Sequence, residues 1–558
     1  MGGGGVNPHS RSARELLDAG LERLRSNDAM PANVRCELMD TLGSIYTDMG
    51  LIDTAAALAA ERSKLAQRAF GTQSVEFALA LIEQARNTVL RGEPAEAMPL
   101  LDRARQALVA IPGSSEALAT AWVRYGAVAG EAGNRGFMEA GLAAQNEARR
   151  WLAHSRDAAA HTAFLVNAGV MDMYVGQFPR AAQVLRDAVA AIAQQGRTEQ
   201  PKGLTAISWL GHAELAEGRP DEAHKHLAES ARLAARTPVP LDELWLDAGL
   251  SHYHEVAGDY ERAWQVAHAT VARIAQLPDV LVTPEMSASY LNLARAAYKT
   301  GRVEASLRYL VEAEALRRRK ATYDADASLR DLQPASWVGP LLAAGDLDGA
   351  NASLRSLASG LGAEKRVTLR TLRYFEQALE VALASRSTAQ AQRVLQDMRE
   401  RNVTPDLYRI YQQWKLRTQL ASLRMLQGDF GKADVEISRV LSDIAAHPQS
   451  AFWGDARLFA QQALLDLRLQ QGRNAEALHL AHALADELGQ RQADGLSLDQ
   501  MHALQRLALA QARLARTAEA RDSLKRANAI AARHPGLGSA PRDRFFVDQL
   551  ALLGVFPT

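Results

Sequence analysis

From residue 12 onward, apolar residues recur with the three-to-four spacing of amphipathic helices, and no stretch shows the period-two alternation of a strand. Ser12 and Glu15 fit a capping box, and Leu16, Leu17, Leu21 and Leu24 mark one face of the helix behind it. These stripes are interrupted at a regular interval. Gly50, Gly92, Gly133, Gly176, Gly218, Gly258, Gly301, Gly345, Gly428 and Gly472 stand 40 to 44 residues apart, with one doubled gap. Each glycine closes an apolar-periodic segment and is followed within five residues by a small residue, as in Gly258 with Ala263 and Gly428 with Ala433. The unit therefore reads helix, tight turn, helix, longer loop, the signature of an all-α array of stacked repeats. Proline punctuates it consistently. Pro31, Pro112, Pro201, Pro238, Pro284, Pro405, Pro448 and Pro535 fall between units, where a helix must stop, whereas Pro94, Pro179 and Pro220 suit the first turn of a second helix.

One region breaks step. The glycine expected near position 386 is replaced by Ser385, Arg386, Ser387 and Thr388, and upstream Trp337 to Pro340 sets a proline inside an expected helix. This reads as a kinked but continuous array or as a seam between two sub-arrays. The expected organisation is a flexible lead at 1–10, a capping helix at 11–28, repeats one to eight over 29–345, repeats eight to twelve over 346–534 after the irregular seam, and a C-terminal cap at 535–558. Terminal caps are needed because an end repeat has only one neighbour to cover it.

With the periodic glycine set at position 15, the first unit places Leu42, Gly43, Tyr46, Gly50 and Ala55 at positions 7, 8, 11, 15 and 20. Ala85, Gly92, Ala97 and Ala104 repeat the pattern, as do Gly211, Gly218, Ala223 and Leu227; in the last unit Ala515 stands where the glycine should be. The pattern resembles the tetratricopeptide repeat (TPR), and the resemblance covers about residues 30 to 534. It implies a right-handed α-solenoid of about twelve TPR-like helix-turn-helix units. The period near 42 residues exceeds the usual 34 or so, which points to lengthened helices. In such arrays the concave groove is lined by first-helix positions 2, 5, 9, 12 and 13. Carried over by position, the groove would include His212, Trp245, His252, Glu255, Arg295, Tyr298 and Lys299, a gathering of aromatic and cationic groups of the kind that anchors peptides. Positions 5 and 9 of the first unit hold Asp40 and Ser44, so binding of chaperone tails is not implied. The opening also resembles TPR regions that follow kinase or winged-helix domains in proteobacterial regulators, though neither effector domain is present.

Composition narrows the function. Sixty-four basic and 64 acidic side chains cancel, with a pI near 7.3, so no global field draws nucleic acid or an anionic membrane. The single cysteine, Cys36, reads as helix packing and fits the cytoplasm. No stretch approaches the roughly 20 apolar residues of a membrane span. Motifs for phosphate binding, metalloproteolysis, paired-cysteine metal sites and serine hydrolysis are all missing. The histidine pairs His224 and His226, His252 and His254, and His479 and His482 lack a third ligand, so no metal and no cofactor is expected. Arg317, Arg318, Arg319 and Lys320 end a second helix, where cations complement its dipole. The expected function is a non-enzymatic interaction module or scaffold in bacterial signalling that holds a peptide or partner protein in the groove. The alternative is a ligand-gated sensor region of a transcriptional or kinase regulator whose effector domain lies outside this chain. Oligomeric state cannot be read from the sequence.

Overall fold

In the computed structural model the described residues are 13–27, 29–49, 51–91, 93–133, 137–234, 249–276, 286–318, 333–359, 361, 367–491 and 498–556. Among them there is no strand. Among the described residues the helices, including one at 249–256, fall into twelve successive pairs, from Ala32–Asp48 with Ile52–Phe70 to Leu498–Arg513 with Thr517–Ala531. Ala13–Ser26 precedes the first pair and Pro541–Leu552 follows the last. The chain is thus an all-α array of TPR-like pairs.

In seven of the pairs the turn explains the glycine rhythm; Gly133 departs from it, with right-handed φ −57° and ψ −47°, and Gly50 and Gly92 lie outside the described residues. Gly176, Gly218, Gly258, Gly301, Gly345, Gly428 and Gly472 all have φ between 73° and 85°. This left-handed conformation is open to glycine and strained for other residues. It lets two successive amides turn back onto the helix end: Gly258 N donates to the Glu255 carbonyl at 3.0 Å and Asp259 N to the His254 carbonyl at 2.9 Å. Where glycine is absent the same geometry persists, with Arg386 at φ 53° and Ala515 at φ 62°. Arg386 N and Ser387 N still donate to the Leu383 and Ala382 carbonyls at 3.1 and 3.2 Å.

Small residues set how closely the paired helices approach. A Cβ on Gly211 would stand 2.7 Å from Leu227 Cγ and 3.1 Å from the Ala223 carbonyl oxygen. Packing continues through the segment 337–388. Val338, Leu342, Phe375, Leu379, Met398, Tyr408 and Leu416 share one buried core, although Gln333–Ala343 carries Pro340 within it.

The chain divides into two compact units, one ending at Met171 and one beginning at Asp172. In the first, Trp122 is buried, stacked on Trp151 at 6.2 Å and edge-on to Tyr125 at 5.5 Å. Tyr46 donates to Asp18 at 2.8 Å, tying the leading helix to the first pair. Asp40 pairs with Arg62 and with Arg124, which also holds Asp157 at 2.9 Å.

In the second unit the array winds until later repeats meet earlier ones. The Gly218 turn faces His447, the Gly301 turn faces His534, and the Gly345 turn faces Gly538 and Ser539. Glu304 N donates to the Pro535 carbonyl at 3.3 Å and Gly538 N to the Ala343 carbonyl at 2.9 Å. These contacts bring the first helices of both windings around a common interior.

Candidate binding interior

Two stretches converge on that interior. The first comprises Pro201–Ala216, the helix at 249–256 and Ser287–Lys299; the second comprises Leu369–Ala384, Ile410–Leu426 and Gly454–Gln470. His252 Nε2 lies 2.8 Å from the Tyr411 hydroxyl, which also accepts from Arg409 Nη1 at 2.9 Å. Since arginine can only donate, the tyrosine hydrogen is free to point at Nε2, which leaves the imidazole hydrogen on Nδ1. That nitrogen faces Glu255 Oε2 at 3.7 Å. Glu255 in turn accepts from Arg295 Nε at 2.7 Å.

A second junction forms around Asp455, which is buried. It accepts from Tyr260 at 2.5 Å and from Lys415 Nζ at 2.9 Å, and Lys299 Nζ lies 3.7 Å away. Lys299 also sits over the rings of Tyr260 and Tyr298 at 5.4 and 5.7 Å. Tyr298 packs against Gly339, where a Cβ would come within 2.7 Å of its ring. Arg373 and Gln412 both donate to Glu376, at 3.3 and 3.4 Å. A buried aromatic group backs the first junction: Tyr411 stacks on Trp453 at 6.3 Å, and Trp414 meets Trp453 edge-on at 5.5 Å.

Burial and local charge set the ionisation states. Burial, with His252, Arg409 and Arg295 adding to it, pushes His212 down to about 3. His252 falls to about 4 because burial, helped by Arg295 and Arg409, outweighs the pull of Glu255. Burial would raise the Glu255 carboxyl, but Arg295 holds it well below the usual carboxylate range. Asp455 is likewise lowered against burial by Lys415 and Lys299, while burial pushes the Tyr298 phenol up to about 12. At neutral pH the interior therefore holds neutral imidazoles and phenols among charged pairs.

His212, His252, Glu255, Arg295, Tyr298 and Lys299 all take part in these contacts and are half-buried, with side-chain exposures of 16% for His252 and 25% for Arg295. Trp245 lies outside the described residues, as do Arg319 and Lys320. Position reading missed Arg373 and Glu376, which occupy positions 2 and 5 once Arg386 is taken as the turn residue. Lys415 is position 2 of the unit closed by Gly428. Arg409, Tyr411 and Asp455 precede the first TPR position of their units and no positional rule reaches them.

Among the described residues, no group of three or more His, Cys, Asp or Glu side chains could hold a metal ion, and no helix is long and apolar enough to cross a membrane.

No protein-family profile matches the sequence, and no curated protein sequence matches it. Solved structures resemble it at low identity. The apo form of RapI is 8% identical, over 66% of this chain and 98% of its own, with a TM-score of 0.40. NprR in complex with its cognate peptide NprX is 10% identical, over 65% and 97%, with a TM-score of 0.42. A Rap protein complexed with competence and sporulation factor is 9% identical, over 71% and 99%, with a TM-score of 0.40.

Proposed function

We propose that this protein is a non-enzymatic interaction module of bacterial signalling, and that the interior of its second unit holds an extended peptide or partner segment. One observation carries the reading. Half-buried arginine, lysine and histidine side chains and mostly buried tyrosine and acidic ones, from helices up to 195 residues apart, meet one another, as Tyr260 and Asp455 do. Amphipathic groups of this kind, rigidly backed by packed helices, are what peptide anchors use. The Tyr411 hydroxyl and His252 are engaged with each other and with Arg409, and Glu255 with Arg295, so we read these groups as a recognition surface and not as a catalytic set. The balanced formal charge of the chain gives no reason to place nucleic acid among its partners.

The test is selection of a random peptide display library against the chain and against a variant carrying Arg295→Ala and Tyr298→Ala. Loss of selected binders in the variant, with helicity and melting unchanged, supports the interior as the site. Equal binding by both would move recognition elsewhere and end this assignment.

A second reading rests on the ties across the interior. His252 to Tyr411 and Tyr260 to Asp455 join the two windings, and a ligand that enters between them must compete with those bonds. Occupancy would then alter how the windings close, as a ligand-gated regulator requires. Hydrogen exchange over 249–274 and 410–470 that does not change when a selected peptide is added would rule this out.

A further inference from the structure

Among the described residues of the interior, one cation differs from its neighbours in its circumstances. Arg295 is paired with Glu255, Arg373 with Glu376, and Lys299 and Lys415 share Asp455. Glu380 and Asp499 add negative charge near Tyr298 and Lys299. Half-buried Arg409 has no carboxylate within ion-pair distance among the described residues. Its Nη1 donates to the Tyr411 hydroxyl, and its Nε is buried without an acceptor. A buried donor left without a partner loses its hydrogen bond to water without replacement, so such atoms are uncommon in native proteins.

Its mounting is rigid. Arg409 is the N-cap residue of Ile410–Leu426, with φ −59° and ψ 149°, so its backbone is held where the helix begins. Tyr411, its partner, is 4% exposed and clamped by Trp453. His212 and His252 both lie within its electrostatic reach, and their rings stand 6.3 Å apart. The arrangement is a guanidinium fixed by one arm, bordered by hydrogen-bonding aromatic groups, with donors left over. A guanidinium edge matches a carboxylate in planarity and donor spacing, and charge-assisted pairs of this type are stronger than neutral hydrogen bonds.

Building on the peptide-binding reading above, we infer that Arg409, set by Tyr411 and His252, is the anchor for a carboxylate of the bound peptide, either an acidic side chain or the free C-terminus. The Arg295–Glu255 and Arg373–Glu376 pairs then serve as walls of balanced charge, and Arg409, with no carboxylate of its own among the described residues, supplies the charge that fixes the peptide's register.

Four rhodamine-labelled octapeptide pools of random sequence test this by fluorescence anisotropy. One contains Asp and Glu and ends in a free acid; the second is the same pool amidated; the third replaces Asp and Glu by Asn and Gln but keeps the free acid; the fourth lacks both carboxylates. The fourth is expected to bind about tenfold more weakly than the first. The second and third show which carboxylate is read. Arg409→Gln should remove the difference between pools and Arg409→Lys should restore part of it. Tyr411→Phe, which keeps the ring packing, should weaken the preference if Arg409→Gln does not fold. Equal binding of all four pools, lost in the Arg295→Ala, Tyr298→Ala variant, would overturn the carboxylate anchor and leave peptide binding standing. Failure of every pool to bind would overturn both.

Discussion

Gly428 and Gly345 occupy the same turn position in their repeats, yet they meet different surroundings. Both have positive φ, 82° and 77°, but an added Cβ meets nothing within 4 Å at Gly428 and comes within 2.8 Å of the Ser539 backbone nitrogen at Gly345. Gly428→Ala is expected to lower stability by about 1 kcal/mol, the conformational penalty alone. Gly345→Ala should lower it by about 2 to 3 kcal/mol, because a neighbouring backbone must also move. Ala515→Gly should raise it by about 0.5 to 1 kcal/mol, since φ is already 62° there. Urea melts of the three variants separate these effects. His212 and His252 give a pH dependence. Their values of about 3 and about 4 lie below the ordinary 6.5, so the unfolded chain binds more protons between those limits. Stability is therefore expected to fall as pH drops from about 6.5 toward 4, and Glu255 and Asp455 extend the loss once they protonate. Melting temperature against pH should flatten over that interval in the His212→Gln, His252→Gln variant. An unchanged slope would contradict the assigned burial of the pair.

At the level of helices, the long period has a visible use. Ile410–Leu426 and Gly454–Gln470 each run 17 residues, and their first turns carry Tyr411 and Asp455, the groups that bridge the interior. Polar bonds recur one repeat apart along stacked first helices: Thr47 to Asn87, Glu255 to Arg295, Lys415 to Asp455 and Asp466 to Arg506, each with a separation of 40. This ladder fixes the rotation of each helix relative to the next, since a slip of one residue would turn its members away from one another. Close packing sets the distance. Gly339 lies against the Tyr298 ring, so Gly339→Ala should destabilise by about 1 to 3 kcal/mol through overpacking. Adding Tyr298→Leu, which shortens the opposing side chain, is expected to recover most of that loss. Additive destabilisation in the double variant would show that the two residues do not oppose each other.

At the scale of the molecule, the second unit closes on itself through contacts between successive windings, with His447 against the Gly218 turn and His534 against the Gly301 turn, roughly 230 positions apart. Tyr253 meets Phe452 at 4.7 Å and Gln449 bonds Asp221 at 2.6 Å, adding to the same join. Asp455 is central, because two lysine ammoniums share it and it accepts from the Tyr260 hydroxyl. Removing one partner of a buried ionic cluster typically costs about 3 to 5 kcal/mol. Asp455→Asn should therefore lower stability by an amount of that order and accelerate hydrogen exchange in 260–274 and 454–470. Exchange confined to a single helix would argue against a shared join. The first unit has its own polar axis, the Arg62, Asp40, Arg124 and Asp157 chain.

The all-α class, the succession of pairs and seven of the ten glycine turns were legible in the chain because they arise from local physics: apolar periodicity, helix stops, and a backbone conformation that favours glycine. The same register brought six of the interior residues into view. It stopped at Arg373 and Glu376, where Arg386 takes the glycine's place, and it had no means of finding Arg409, Tyr411 or Asp455. Those residues matter through partners 159 and 195 positions away, as in His252 with Tyr411 and Tyr260 with Asp455. Such pairings depend on small rotations between repeats summed over a whole winding, and only folding brings them together.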